Sequence, residues 1–195
     1  MKSTIFTLTV LLCFAFSEIS HAQASKPGIP AGYKQTESGL LYKLIRQSKS
    51  GNKPAHSDVL TLNLNYALYR GGKNDSILFD SRNIPQKELM AQLIRPAFKG
   101  DIMEGLAMLE VGDSASFITS ADSFFLRTAG VKQLPPGIHS GDRLIFQAGL
   151  KKNSTLAQLE AERAELDSIA KAEEAVNLRK YLFENKITEK PSESG

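Results

Sequence analysis

The stretch from Pro96 to Phe125 constrains the fold of this chain more than any other, because it contains a short helix followed at once by a strand. Asp101 is a residue type that caps helices, and Glu104 follows three residues later. This spacing predicts a capping box, in which each side chain accepts a hydrogen bond from an unpaired backbone N–H group. Gly112 is the expected end of the helix, and residues 114–119 are the expected strand.

The predicted helix has one apolar face. Ile102, Leu106 and Leu109 recur at i, i+4 and i+7, so their side chains point in one direction. An apolar face of this kind has to be covered by another apolar surface. We expect that surface to be a sheet.

Residues 60–68 carry the clearest strand signal. Every second residue is apolar and the residues between them are polar or small, which is typical of a half-buried antiparallel strand. Tyr66 therefore points inward with the leucines. An inward tyrosine near a strand end is compatible with plain core packing as well as with a pocket wall.

Further strands are predicted at residues 38–46, 76–80 and 144–150. Residues 85–94 read as much like a helical turn as like a strand, so both alternatives stay open there. Residues 126–143 are predicted as a long loop whose return is stiffened by Pro135 and Pro136.

These signals occur in a recognisable order. The motif E-G-L-x-x-L-x-V-G-D at residues 104–113 is preceded by Tyr66 and by Phe79-Asp80-Ser81, and it is followed by Leu134-Pro135-Pro136 and Leu144-Ile145-Phe146. This set resembles the centre of the FKBP-type peptidyl-prolyl isomerases. The resemblance implies an α+β domain over residues 38–152, an antiparallel five- or six-stranded sheet wrapped around one short helix.

The resemblance also implies a proline-binding pocket and the residues that form it, with the N–H of Lys99 receiving a substrate carbonyl. The implied site residues are Tyr66, Phe79, Asp80, Phe98, Lys99, Ile102, Phe125, Leu134 and Phe146. From its sequence position alone, Asp80 reads as a turn former or a cap, and the resemblance adds the alternative that Phe79 and Asp80 form one wall of the pocket. Arg82 is a candidate to pair with Asp80.

Two of these positions depart from the family pattern. Ile102 stands where many members have a tryptophan floor, and Phe125 stands where a tyrosine hydroxyl usually binds a substrate carbonyl. Losing one neutral hydrogen bond weakens binding by about 0.5–1.5 kcal/mol, so the departures predict a weakened pocket and not an abolished one.

A long helix is predicted after the domain. Ser154 is the expected cap, and the helix should run from about residue 156 to 185 within a segment that we place at residues 153–187. Its imperfect apolar stripe leaves three alternatives: a solvated helix, docking on the domain, or a homodimer through this helix. Residues 188–195 are predicted to be a disordered tail, and their echo of residues 34–39 suggests a relation to tandem-domain proteins.

The N-terminus reads as a signal peptide of residues 1–22. The apolar run of residues 5–16 is too short to span a bilayer, and Ser20-His21-Ala22 has small residues where a signal peptidase reads. Cleavage is expected before Gln23, with cleavage after Ala24 second. The protein is then secreted across the inner membrane into the periplasm, and residues 23–37 form a flexible lead-in. Cys13 lacks the small residue that precedes a lipidated cysteine, so we favour a chain without a lipid anchor.

Composition excludes several other classes of function. The 24 basic and 21 acidic residues are interspersed, so there is no basic stripe for nucleic acid. Residues 23–195 contain no cysteine and only two histidines, and no glycine loop has phosphate-binding spacing, so we expect neither a metal nor a cofactor.

The sequence therefore predicts a peptidyl-prolyl cis-trans isomerase that acts on proline-containing polypeptides during the folding of exported proteins. The alternative is a non-catalytic FKBP-like chaperone or protein-binding module that kept the fold while its pocket eroded.

Overall fold

The computed structural model describes residues 28–187, and the predictions for residues 1–27 and 188–195 lie outside this range. Strands β1 to β7 span Lys34–Gln35, Leu41–Arg46, Val59–Arg70, Lys73–Asp80, Leu89–Gln92, Ser114–Ser120 and Arg143–Ser154. Helices α1 to α3 span Ile102–Ala107, Ala121–Ser123 and Leu156–Glu184. A 3-10 turn covers Ser81–Asn83, and a π-helical turn covers Phe124–Thr128. No helix within residues 28–187 is long and apolar enough to cross a membrane.

All seven strands belong to one antiparallel sheet in the order β1-β2-β6-β7-β3-β4, with β5 also paired to β3. The long strand β3 pairs with β7 on one edge, and on the other edge it pairs first with β5 and then with β4. The predicted α+β architecture, a sheet around one short helix with a long C-terminal helix, is confirmed. The sheet exceeds the expected five or six strands through the two-residue β1.

Helix α1 lies against one face of the sheet with its apolar side inward. Ile102, Leu106 and Leu109 are all buried in the main core, as their spacing predicted. Across the sheet, Phe117 and Phe146 belong to the same core. The core is therefore formed between α1 and the face of the sheet that β3, β6 and β7 share.

The capping of α1 differs from the predicted box. The Asp101 carboxylate accepts a hydrogen bond from the N–H of Met103 at 3.3 Å, but the Glu104 carboxylate accepts from the hydroxyl of Ser38 instead of from the Asp101 N–H. The helix also ends at Ala107, and Gly112 lies beyond it in a turn with φ of +95°. Ser38, in the turn between β1 and β2, thus takes the place of the local backbone partner.

Two predicted irregular segments are ordered. Lys34 and Gln35, which the prediction placed in a flexible lead-in, pair as β1 with Tyr42 and Leu41. Tyr33 just before them donates or accepts a 2.6 Å hydrogen bond with the hydroxyl of Ser116. Ordering here follows from an apolar cluster on the outer face of the sheet that Tyr33 helps to cover.

The start of the predicted loop 126–143 is also ordered, because Ser120 caps α2 and the chain continues from there into the π-helical turn. The hydroxyl of Ser120 accepts a hydrogen bond from the N–H of Ser123 at 3.3 Å. The ambiguous segment 85–94, in contrast, contains a strand, β5, and not a helix.

Helix α3 begins after Thr155 and not after Ser154, which is the last residue of β7. The Thr155 hydroxyl accepts from the N–H of Gln158 at 3.2 Å, and the Gln158 side chain accepts from the Thr155 N–H at 2.8 Å. This reciprocal capping box fixes the direction in which the helix leaves the sheet.

Candidate functional site

The register of the sheet brings three aromatic side chains together on its concave side. Tyr66 on β3 is paired with Phe79 on β4 and with Phe146 on β7, so the three residues lie in one row across the sheet. Paired residues point to the same face. The Tyr66 ring stacks on Phe79 with centroids 5.5 Å apart, and its centroid lies 5.0 Å from that of Phe146.

Helix α1 and the π-helical turn close the remaining sides. Ile102, which is 2% exposed, forms the floor together with Met103 and Leu106. Phe124 stands over the row of rings, with its centroid 5.0 Å from that of Phe146 and 5.6 Å from that of Tyr66. The result is an apolar pocket of about 280 Å³.

Strand β5 supplies the last wall. Leu89 and Ala91 face the pocket, because they pair with Leu62 and Leu60 of β3 and so point to the concave side. The complete lining consists of Leu62, Leu64, Tyr66, Phe79, Leu89, Ala91, Ile102, Met103, Leu106, Phe124, Thr128, Ala129 and Phe146. Only Tyr66 and Thr128 bring polar side-chain atoms to this wall. Burial raises the pKa of the Tyr66 hydroxyl, which therefore stays protonated near neutral pH.

A buried carboxylate holds two parts of the pocket in place. Asp101 is 0% exposed, and one carboxylate oxygen accepts hydrogen bonds from the Ala97 N–H at 2.8 Å and from the Thr128 hydroxyl at 2.9 Å. Thr128 lies on the pocket wall and Ile102 follows Asp101 directly. The helix cap therefore ties the floor to the π-helical turn.

Four of the residues implied by the resemblance line this pocket: Tyr66, Phe79, Ile102 and Phe146. The other five, Asp80, Phe98, Lys99, Phe125 and Leu134, lie outside its lining. Leu134 packs against the same core as a partly buried residue, whereas Lys99 borders a separate polar cleft between β1 and the ends of β6 and β7.

Asp80 lies in a different cavity, beside Arg46 and Gln147. The Asp80 carboxylate caps the 3-10 turn by accepting from the Arg82 N–H at 2.9 Å, and it accepts from Arg82 Nε at 3.0 Å with both oxygens. The pairing with Arg82 that the sequence suggested is present. This side-chain bond lowers the pKa of Asp80, so the carboxylate is ionised, and both of its oxygens are already bonded to Arg82.

Phe124 is the wall residue that sequence reasoning missed. The resemblance pointed to Phe125 at this place, and in an extended chain the side chain of its neighbour Phe124 would point in the opposite direction. In the π-helical turn both rings reach Tyr66. Phe125 is 7% exposed and is packed beneath the wall, with its ring centroid 6.4 Å from that of Tyr66. Ser120, a cap residue two positions before Asp122, was the signal for this helical start.

The element order around this pocket is the order that the resemblance implies: a row of strands, the short helix after Asp101, and a closing strand that carries Phe146. No protein-family profile matches the sequence, and no curated protein matches it.

Solved structures similar to this chain include FkpA from Escherichia coli, at 23% identity and a TM-score of 0.48, covering 64% of this chain and 53% of that one. A peptidyl-prolyl cis-trans isomerase from Pseudomonas syringae pv. tomato has 18% identity and a TM-score of 0.48, covering 64% and 83%. The N-terminal domain of FKBP42 from Arabidopsis thaliana has 13% identity and a TM-score of 0.48, covering 67% and 98%. The chain spans about half the length of FkpA. Each is a similarity, and none assigns an activity to this chain.

Proposed function

We propose that this protein is a peptidyl-prolyl cis-trans isomerase that binds proline-containing segments of polypeptides in the pocket between Tyr66, Phe79, Phe124 and Phe146. The observation that carries the proposal is the pocket itself: a concave apolar site of about 280 Å³ whose walls are mostly aromatic and whose floor is Ile102. Flat rings and an aliphatic floor match the flat, apolar pyrrolidine ring of proline.

The chemistry needs no ionisable group. Resonance resists rotation of a peptide bond by about 18–20 kcal/mol, and X–Pro bonds isomerise over about 10–100 s. Water stabilises the planar, charge-separated form of the amide by hydrogen bonding to its carbonyl oxygen. A wall of rings removes that water and so favours the twisted amide. Lowering the barrier by about 5 kcal/mol accelerates rotation by more than about 10³-fold.

The proposed clients are exported proteins. The predicted signal peptide of residues 1–22 motivates this proposal, and with it a periplasmic location without a lipid anchor. The intact mass of the protein recovered from the periplasm tests both points. A chain that begins at Gln23 is the expected result, and a diacylated Cys13 would contradict it.

The second candidate function is a non-catalytic chaperone or protein-binding module. Two observations favour it: the floor is an aliphatic Ile102, and both Phe124 and Phe125 lack a hydroxyl that could bind a substrate carbonyl. Such a module binds proline segments in the same pocket without changing the rate at which their bonds rotate.

A protease-coupled assay on a proline peptide separates the two functions. We expect the parent to accelerate isomerisation and Phe124→Ala to lose most of that acceleration. Leu126→Ala is the matched control, because Leu126 is an exposed neighbour outside the pocket lining. Binding of the peptide without acceleration by a folded parent would reject the enzyme and leave the binding module.

A further inference from the structure

The hydroxyl of Tyr66 is a hydrogen-bond donor without a partner in an otherwise apolar pocket. Its ring is held by stacking on Phe79 and by contact with Phe146, so the hydroxyl has a fixed place on the wall. Within residues 28–187 its oxygen makes no hydrogen bond, and burial alone raises its pKa. A half-buried donor of this kind is free to bind a ligand atom.

Two other polar side chains in this region are already bonded. Thr128, the other polar residue of the lining, donates its hydroxyl proton to Asp101 at 2.9 Å. Asp80 has its carboxylate in the separate cavity, where Arg82 holds it. In the described part of the chain, Tyr66 is therefore the side chain of the lining that still has a proton to donate.

A proline ring has one polar atom, its nitrogen. In the planar X–Pro amide the lone pair of this nitrogen is delocalised into the carbonyl group, so the nitrogen accepts no hydrogen bond. Twisting the bond ends the delocalisation and leaves the lone pair on the nitrogen, which then becomes an acceptor. The nitrogen enters the pocket with the ring, whereas the carbonyl oxygen belongs to the preceding residue. A single donor on the pocket wall thus matches the single polar atom of the ring.

We propose that the Tyr66 hydroxyl donates a hydrogen bond to the nitrogen of the proline ring while the X–Pro bond is twisted, which makes Tyr66 a catalytic residue as well as a wall of the pocket. This inference rests on the proposed isomerase function. The bond exists only in the transition state, so it lowers the barrier without tightening the binding of the substrate. No proton is transferred, and the bond breaks when the amide becomes planar again. A bond to the carbonyl oxygen would have the opposite effect, because it stabilises the planar amide.

Tyr66→Phe tests this role, because it removes the hydroxyl and keeps the ring. NMR exchange measurements on a proline peptide give both kcat for isomerisation and the Kd of the peptide. We expect Tyr66→Phe to lower kcat by about three- to tenfold and to leave the Kd unchanged. Tyr69→Phe is the matched control, because Tyr69 lies on the same strand but packs against the cluster on the outer face of the sheet. It should change neither quantity.

Two further measurements separate this role from a structural one. Because the hydroxyl has no partner in the free protein, Tyr66→Phe should leave the melting temperature within about 2 °C of the parent. Only the protonated phenol can donate, and the described lining contains no charged side chain. Tyr66→3-fluorotyrosine, whose phenol ionises at a lower pH, should therefore lose its acceleration at a lower pH than the parent does.

The outcomes distinguish this inference from the isomerase function on which it rests. If the parent accelerates isomerisation and kcat of Tyr66→Phe equals or exceeds that of the parent, the role of the hydroxyl is wrong and the isomerase function stands. A larger Kd with an unchanged kcat, a larger drop in melting temperature, or a pH profile that fluorination does not move would each overturn the role as well. A folded parent that binds the peptide without accelerating isomerisation would overturn both.

Discussion

Gly105 of α1 lies directly against the ring of Phe117 on β6, so close that a Cβ atom at residue 105 would stand 2.5 Å from Cε1 of Phe117 and 3.0 Å from Cδ2 of Leu40. Phe117 is fully buried and has no room to retreat. The glycine of the E-G-L motif therefore sets how closely the helix approaches the sheet, and with it the depth of the pocket floor.

Gly105→Ala should destabilise the protein although alanine is the better helix former. The helix gains about 1 kcal/mol from propensity, but overpacking of the core costs about 1–3 kcal/mol or more. Chemical denaturation measures the net effect. Gly149→Ala is the control, since a Cβ there meets only ordinary contacts at 3.9 Å. An unchanged midpoint for Gly105→Ala would show that α1 shifts freely on the sheet.

Phe124→Tyr and Phe125→Tyr should differ in effect. A hydroxyl on Phe124 lies at the pocket wall, so we expect kcat/KM to rise by up to about tenfold, if it donates a bond worth roughly 1 kcal/mol in the transition state. A hydroxyl on Phe125 enters the apolar core, and an unpaired one costs about 1–3 kcal/mol of stability. The isomerase assay and thermal unfolding of both variants measure this. If kcat/KM rises in Phe125→Tyr and not in Phe124→Tyr, the residue that contacts the substrate is Phe125 and not Phe124.

Asp80→Asn should change kcat/KM by less than about threefold, because the carboxylate is held by Arg82 in a separate cavity and can act on the pocket only through its field. Phe79→Leu removes part of a wall and should lower kcat/KM more strongly. Core aromatic truncation can cost about 3–5 kcal/mol, so unfolding must be measured beside the assay. A larger loss in folded Asp80→Asn than in folded Phe79→Leu would assign the main role to the carboxylate.

Asp142→Asn should lower the melting temperature in a pH-dependent way. Arg70 Nε donates to the Asp142 carboxylate at 3.0 Å, and this bond holds the pKa of Asp142 well below its usual range. A depressed carboxyl pKa stabilises the folded state above the unfolded pKa of about 4, and that stability is lost as the pH falls. The difference in melting temperature between the parent and Asp142→Asn should have its largest value above about pH 5 and should become smaller below about pH 4.

Asp75→Asn is the matched control for this pair. The Asp75 carboxylate accepts from the same guanidinium, but at 3.4 Å and in an exposed position. We therefore expect Asp75→Asn to lower the melting temperature by less than Asp142→Asn does. If the difference in melting temperature between the parent and Asp142→Asn stays constant down to pH 2, the negative charge of Asp142 is not what stabilises the folded protein.

The parts of this structure that were predictable are those with a local period. Alternation over residues 60–68 and the i, i+4, i+7 spacing in α1 depend only on which face is buried, and both are found buried. The row of Tyr66, Phe79 and Phe146 needed the resemblance, because pairing between distant strands leaves no trace in the spacing of one strand.

The parts that were not predictable depend on long-range partners. Glu104 bonds to Ser38, which lies 66 residues earlier in the chain, and Thr128 bonds to Asp101, 27 residues away. Either residue could have bonded locally. Phe124 reached the pocket because the chain turned helical after Ser120, and a two-residue aromatic run carries no period from which that could be read.

The pairing of β3 with β7 has a kinetic consequence. Tyr66 meets Phe146, which lies eighty residues later in the chain, and within residues 28–187 β4 and β5 pair with β3 alone. Contacts between such distant segments cost much loop entropy before they return any stability, and domains rich in them fold slowly. The rings of the pocket should thus assemble last, so that the nascent chain shows this apolar surface to its surroundings until its final strand has been synthesised.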